Sequence, residues 1–280
     1  MRTTHFRIAR WILPMLAGLG LALGCSGSQK QSSVLEIRPG ILAGYLAQEA
    51  LPDSQAILAP PPKSGSAGIA LDDEVSQRSF VLRNTLRWEQ ATKDAILMFP
   101  RAAESFSCAL GIAITETYTP HLYLLLRRTL ADTGFSTYTA KKYYQRKRPF
   151  LLNQEAICTP DEVEFLAENG SYPSAHSAIG WAWALILSEI APERVDAILI
   201  RGRTFGDSRV ICNVHWYSDV VAGRIMGAAT VARLHADPGF QAELEAAKAE
   251  YSAARARGHK PAGDCELEAD ALMYEIFRKP

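Results

Sequence analysis

Apolar residues recur along this chain at helical spacing from about residue 70 onward, and strand-like alternation is scarce. Asp72 and Asp73 read as the opening of a segment that carries Val75, Leu82 and Leu86 on one face. Ala102, Phe106, Ala109 and Ala113 then step by four, three and four, the period of a buried helical stripe. Thr119-Pro120 reads as an N-cap followed by proline at the first helical position, with Leu122 to Leu130 behind it and Gly134 as the stop. Thr159-Pro160-Asp161-Glu162 repeats that start with a capping-box glutamate, and Gly170 closes it. Asp237-Pro238 opens an Ala- and Glu-rich helix that ends near Gly258. No Asn-Gly or Asp-Gly turn joins two apolar runs, so the pattern predicts an all-α fold, a single compact helical domain.

The pattern differs at the start. Arg2, Arg7 and Arg10 precede an apolar run from Trp11 to Leu23, interrupted by Pro14 and followed by small residues. The run is short and basic at its front, which predicts an export signal over 1–24 and not a membrane span. Leu21 to Cys25 also resembles a bacterial lipoprotein box, in which Cys25 becomes the lipidated first residue; plain cleavage to a periplasmic protein is the alternative. Residues 25–44 then read as a lipidated or flexible tether, 45–256 as the helical domain, and 257–280 as a C-terminal tail.

With 280 residues and 48% hydrophobic composition the chain can bury a sizeable core. Lys plus Arg and Asp plus Glu number 30 each, so no net field recruits nucleic acid or an anionic membrane surface. An anion site must be a local concentration of charge, and membrane association would come only through the lipid anchor. The composition also permits a homo-oligomer. Outside Cys25 stand Cys108, Cys158, Cys212 and Cys265, an even number that an exported protein can pair in three ways. Their spacing carries no zinc signature.

Candidate chemistry concentrates in three stretches. Ser208 to Asp219 contains Arg209, His215 and Asp219. A helix would stack His215 and Asp219 on one face, so that the carboxylate accepts one ring N–H and leaves the other nitrogen free as a nucleophile or base. Arg209 would add a planar, permanently charged fork for phosphate oxygens. Lys141 to Phe150 reads as a helix end closed by Pro149, with Lys141 and Arg148 two turns apart on one side. Ser174 is placed to cap a strongly apolar helix, turning backbone N–H groups toward an anion beside His176.

Together these stretches, Lys141 with Arg148-Pro149, Pro173-Ser174-Ala175-His176, and Ser208-Arg209 with His215 and Asp219, resemble the three-part signature of the phosphatidic-acid-phosphatase type 2 and vanadium haloperoxidase superfamily. One position departs from it: Ala175 stands where the family usually has glycine. Tyr45-Leu46, Leu51-Pro52-Asp53-Ser54, Pro60-Pro61-Pro62, Arg87-Trp88 and Tyr143-Tyr144 are similar to the class A bacterial non-specific acid phosphatases.

The resemblance implies a periplasmic phosphomonoesterase that needs no metal or other cofactor and acts on nucleotides, sugar phosphates and aryl phosphates. In it His215 forms a phosphohistidine, Asp219 holds its tautomer, and His176 serves the leaving group and then water. Lys141, Arg148, Ser174, Ala175 and Arg209 bind the nonbridging oxygens. Two other readings use the same residues: a vanadium-dependent haloperoxidase, which holds vanadate on the histidine, and a non-catalytic phosphate-binding lipoprotein.

Overall fold

Residues 175–190 are apolar on nearly every side, and a helix of that kind is stable only where other helices surround it. The computed structural model, which describes residue 1 and residues 34–261, 263–273 and 276, places this segment at the centre. Among the described residues a hairpin of β1 (Glu36–Arg38) and β2 (Ile41–Leu42) comes first, antiparallel, with Glu36 opposite Leu42 and Arg38 opposite Ile41. Then follow α1 (Ser54–Ile57), α2 (Ala67–Ser79), α3 (Leu86–Asp94), α4 (Arg101–Glu104), α5 (Ser107–Leu110), α6 (Pro120–Ser136) and α7 (Tyr138–Tyr144). The second half holds α8 (Pro149–Asn153), α9 (Val163–Ala167), α10 (Ala175–Ile190), α11 (Val195–Ile211), α12 (Tyr217–Leu234), α13 (Pro238–Ala256) and α14 (Cys265–Leu272).

The fold is therefore helical, with the hairpin the one departure from the expected all-α pattern among the described residues. Its turn uses Pro39 and Gly40, the latter at φ +78°, instead of the turn dipeptides sought in the sequence. The hairpin and Gly44 lie within the stretch read as a tether, and Arg128 on α6 donates to the carbonyls of Ala43 and Gly44.

α6, α11 and α12 pack around α10, and α13 covers α6. Trp183 is fully buried among Phe99, Phe106 and Phe205, and its indole N–H donates to the Leu126 carbonyl at 3.1 Å. Each buried large apolar side chain of this kind contributes about 1.5–3 kcal/mol. The approach of α12 to α10 depends on two glycines. A Cβ on Gly223 would stand 2.4 Å from the Ser174 carbonyl, and one on Gly227 2.5 Å from that of Ala178. That close approach brings the start of α12 against the start of α10.

Several starts and stops differ from their sequence expectation. α2 is capped by Ser66, which accepts from the Ile69 N–H; Asp72 lies buried in mid-helix. α6 starts at Pro120 as expected but runs two residues beyond Gly134. α13 is capped by Asp237 and followed by Gly258 at φ +75°. The stretch expected as a tail contains α14. The disulfide Cys108–Cys265 ties α14 to α5, and Cys158–Cys212 ties the loop before α9 to the end of α11, which selects one of the three open pairings. The export signal and Cys25 lie outside the described residues. No described helix is long and apolar enough to cross a membrane.

Candidate active site

The start of α10 makes the floor of the site. Ser174 Oγ accepts from the Ser177 N–H at 3.2 Å and from Ser177 Oγ at 2.9 Å. The Ser174 carbonyl takes the Ala178 N–H. Of the first-turn donors, those of Ala175 and His176 have no partner among the described residues, and both residues line a cavity of about 360 Å³. Lys141, Arg148, Arg209 and His215 line the same cavity.

His215 and Asp219 meet, but not on a helix face. α12 begins only at Tyr217, with Trp216 as its N-cap, so His215 lies outside the helix. Asp219, the third helical residue, folds back over the cap: its Oδ2 accepts from the Trp216 N–H at 2.9 Å and from His215 Nδ1 at 3.3 Å. With Nδ1 donating, Nε2 carries the lone pair, and it accepts from Arg148 Nη1 at 3.1 Å. An incoming phosphate oxygen that draws this N–H away would uncover the Nε2 lone pair.

Lys141 and Arg148 reach the cavity from separate elements. The expected single helix breaks at Gln145, left-handed at φ 43°, and Pro149 opens α8 instead of closing α7. Lys141 Nζ donates to the carbonyls of Gly170 and Pro173 at 2.8 and 2.9 Å, which leaves one of its three donors. Arg148 is held by the carbonyls of Leu166, Asn169 and Val214.

Arg209 is the exception to this careful pairing. Its side chain is 0% exposed, and none of its three guanidinium nitrogens has a hydrogen-bond partner among the described residues. Burial pushes its pKa down to about 10, so it is still charged at neutral pH. A buried, unpaired cation costs several kcal/mol unless an anion supplies what the fold does not. Arg209→Met is therefore expected to raise stability by about 1–3 kcal/mol in phosphate-free buffer. It should also abolish the stabilisation that added phosphate gives the wild type, as thermal unfolding with and without phosphate would show.

Both histidines have pKa values well below the ordinary imidazole range. For His215 the largest cause is burial, followed by the nearby charges of Arg148, Lys141 and Arg209. For His176 burial again leads, with Arg209 next. His176 Nε2 donates to the Ala95 carbonyl at 3.0 Å, which leaves Nδ1 as its acceptor. The site thus holds two neutral imidazoles within a ring of cations. Among the described residues no group of three or more His, Cys, Asp or Glu side chains is gathered to hold a metal ion.

The departure at Ala175 causes no backbone strain. Ala175 is the first residue of right-handed α10 and is absent from the positive-φ positions, so its methyl matters only as cavity wall. Ala175→Gly is expected to change kcat by no more than a few fold and to lower stability by up to about 1 kcal/mol, checked by steady-state kinetics and denaturant unfolding.

Three residues that brace the site were not assigned to it by the sequence. Arg146 donates to Asp219 Oδ1 at 2.6 Å and to Asp72 Oδ2 at 2.7 Å. Asp72 in turn accepts from the Ser218 N–H and hydroxyl at 2.7 and 2.6 Å. Ser171 Oγ donates to Asp219 Oδ2 and lies 3.3 Å from His215 Nδ1. The Asp219 carboxylate is thus gripped from four sides, which fixes the imidazole it orients.

Residues 121–241, which contain Lys141, Arg148, Ser174, Ala175, His176, Arg209, His215 and Asp219, match the PAP2 superfamily. Over 240 residues the chain is 45% identical to a non-specific acid phosphatase of Providencia stuartii, covering 83% of this chain and 97% of that one. It is 40% identical over 220 residues to an acid phosphatase of Zymomonas mobilis, covering 78% and 83%. It is also 41% identical over 201 residues to a non-specific acid phosphatase of Salmonella typhimurium, covering 71% and 80%. The chain belongs to the PAP2 superfamily and, within it, to the class A bacterial non-specific acid phosphatases; it is a phosphatase.

Proposed function

We propose that this phosphatase hydrolyses phosphate monoesters of varied leaving group through a phosphohistidine on His215, without a metal ion. The observation that carries the reading is the fully buried, unpartnered guanidinium of Arg209, opening on the same cavity as a histidine oriented by a carboxylate. Lys141, Arg148, Arg209 and the N–H groups of Ala175 and His176 hold the nonbridging oxygens, and the Ser174 hydroxyl, which already accepts twice, has its own proton to donate. Phosphoryl transfer asks chiefly for positioning and charge stabilisation, which these cations provide.

His215 Nε2 attacks phosphorus as the ester P–O bond breaks. His176 gives a proton to the leaving oxygen, then takes one from the water that attacks the phosphohistidine, releasing phosphate and restoring both histidines. Because burial keeps the His176 imidazole neutral, the ester brings the proton, arriving as its monoanion. The second ionisation of a phosphate monoester lies near pH 6, so the competent pair is depleted above neutrality.

Lys141 acts in the same direction. Burial, and next the charge of Arg148, push its pKa down to about 7. Anion binding favours the ammonium form, so affinity is full below that pKa and is lost as pH rises through it. KM for p-nitrophenyl phosphate is expected to rise by up to tenfold per pH unit above about 7. A KM that stays flat to about pH 9 would show that Lys141 keeps its proton.

The mechanism is tested by rapid quench with labelled substrate in EDTA. The expected result is label that survives base, is lost in acid, and maps to His215. Label at no residue, or activity abolished by EDTA, would overturn it. Bromide oxidation by peroxide in added vanadate, with no phosphatase activity, would favour the haloperoxidase reading. Phosphate binding without turnover would favour the binding lipoprotein.

The proposal extends to location: export to the periplasm, with Cys25 as the anchor where lipidation occurs. The two disulfides support an oxidising compartment. Mass measurement of the mature N-terminus distinguishes a lipidated Cys25 from plain cleavage.

A further inference from the structure

A second cavity, of about 720 Å³, adjoins the phosphate site on the other side of α7. Adjacent residues of a helix point about 100° apart. Tyr138 and Lys141 accordingly line the phosphate cavity, while Thr139 and Lys142 line the second, with Tyr138 reaching both. Arg38 and Phe135 are likewise common to the two, and the Arg38 guanidinium lies 5.4 Å from the Phe135 ring centroid. A leaving group that extends past these three shared residues meets the second cavity.

The two spaces differ in chemistry. The phosphate cavity is walled by Leu130, Ala131, Phe135 and Ile179, a lining suited to a flat apolar ring next to the ester oxygen. The second is lined by Arg38 and Lys142 and by Glu49 and Asp53, charges of both signs. Asp53 is built in: Thr139 Oγ1 donates to its Oδ1 at 2.5 Å and the Gln55 N–H does so at 2.9 Å. These bonds, that of Thr139 first, hold its carboxyl below the usual range. The side chains of Lys142 and Glu49 are exposed and have no partner among the described residues. A mixed-sign pocket matches a zwitterion, with carboxylate toward the cations and ammonium toward the carboxylates.

We propose that the second cavity is a leaving-group subsite that selects aryl phosphates carrying a zwitterionic tail, free O-phosphotyrosine being the simplest of them. The inference rests on the hydrolytic reading above. His215 Nε2 bonds to phosphorus as the bond to the phenol oxygen breaks, and the phenolate takes the proton from His176. Water then gives a proton to His176 and carries the phosphoryl group away, so the products are tyrosine and inorganic phosphate.

The test compares kcat/KM for three esters: O-phospho-L-tyrosine, phenyl phosphate, which lacks the tail, and N-acetyl-O-phosphotyrosine amide, whose tail is neutral. The wild type is expected to prefer phosphotyrosine to both others by about tenfold. In Lys142→Glu and in Glu49→Lys that preference should fall toward one, while phenyl phosphate turnover stays within about twofold of wild type and so reports an intact fold and site. Equal kcat/KM for phosphotyrosine and phenyl phosphate in the wild type, or a preference unchanged in both variants, would overturn this inference alone. Failure to hydrolyse any of the three would overturn the hydrolytic reading and this one with it.

Discussion

Replacing His215 with alanine is expected to lower turnover of p-nitrophenyl phosphate by about ten-thousand-fold or more, while phosphate still binds. The two functions separate by residue. In the proposed mechanism binding depends on Lys141, Arg148, Arg209 and the N-terminus of α10, none of which rests on the imidazole alone: Lys141 is held by two carbonyls, and Arg148 by three besides the ring. In the proposed mechanism bond making depends on one atom, Nε2 of His215, since a covalent path has no substitute nucleophile when that atom is gone. What remains should be the modest acceleration of an electrostatic cradle around a bound ester. Equilibrium binding of inorganic phosphate should stay within about tenfold of wild type, because only the bond of the ring to Arg148 is lost. Retention of more than about a tenth of the activity would rule out His215 as nucleophile; loss of binding together with activity would show that the ring organises the cradle.

The sequence already held the residue types of this cradle, in order and at the right separations, but the route by which they meet was only partly legible. Lys141 and Arg148 converge through a left-handed residue, Gln145, where no glycine or asparagine signals a helix end. His215 and Asp219 sit four apart, and that spacing serves a capping turn as well as a helix face, so periodicity found the pair and misjudged the geometry. Arg146 was hidden in a run that includes Lys141, Lys142, Lys147 and Arg148, where a solvated basic face is the ordinary expectation. Its burial depends on Asp72 and Asp219, 74 and 73 residues away. Local pattern carries no information about partners at that distance. The same holds for the disulfides, which close over 157 and 54 residues of chain. Ala175 shows the converse: from the sequence alone the effect of this departure from the family's glycine is open, and a right-handed first turn makes it mild.

His176→Ala is expected to separate the two chemical steps by leaving group. With an alkyl phosphate such as glycerol 2-phosphate, the departing alkoxide is as basic as hydroxide, with a conjugate acid near pKa 16, and needs a proton as the bond breaks. Turnover should then fall by about a thousandfold with no burst, because the phosphoenzyme itself forms slowly. An aryl leaving group is far less basic, a simple phenol ionising near pH 10, and departs with little help. For p-nitrophenyl phosphate the variant should therefore release close to one nitrophenol per enzyme in a fast phase. A slow steady state should follow, limited by attack of water on phosphohistidine without its base. The wild-type position of His176 suits the proposed acid role: Nε2 is occupied by the Ala95 carbonyl, so Nδ1 alone serves proton transfer, and the pKa held down by burial makes the ring release a proton readily. Stopped-flow measurement of nitrophenol release decides the matter. If alkyl and aryl esters slow by the same factor and neither shows a burst, His176 binds the phosphoryl group and the proton comes from elsewhere.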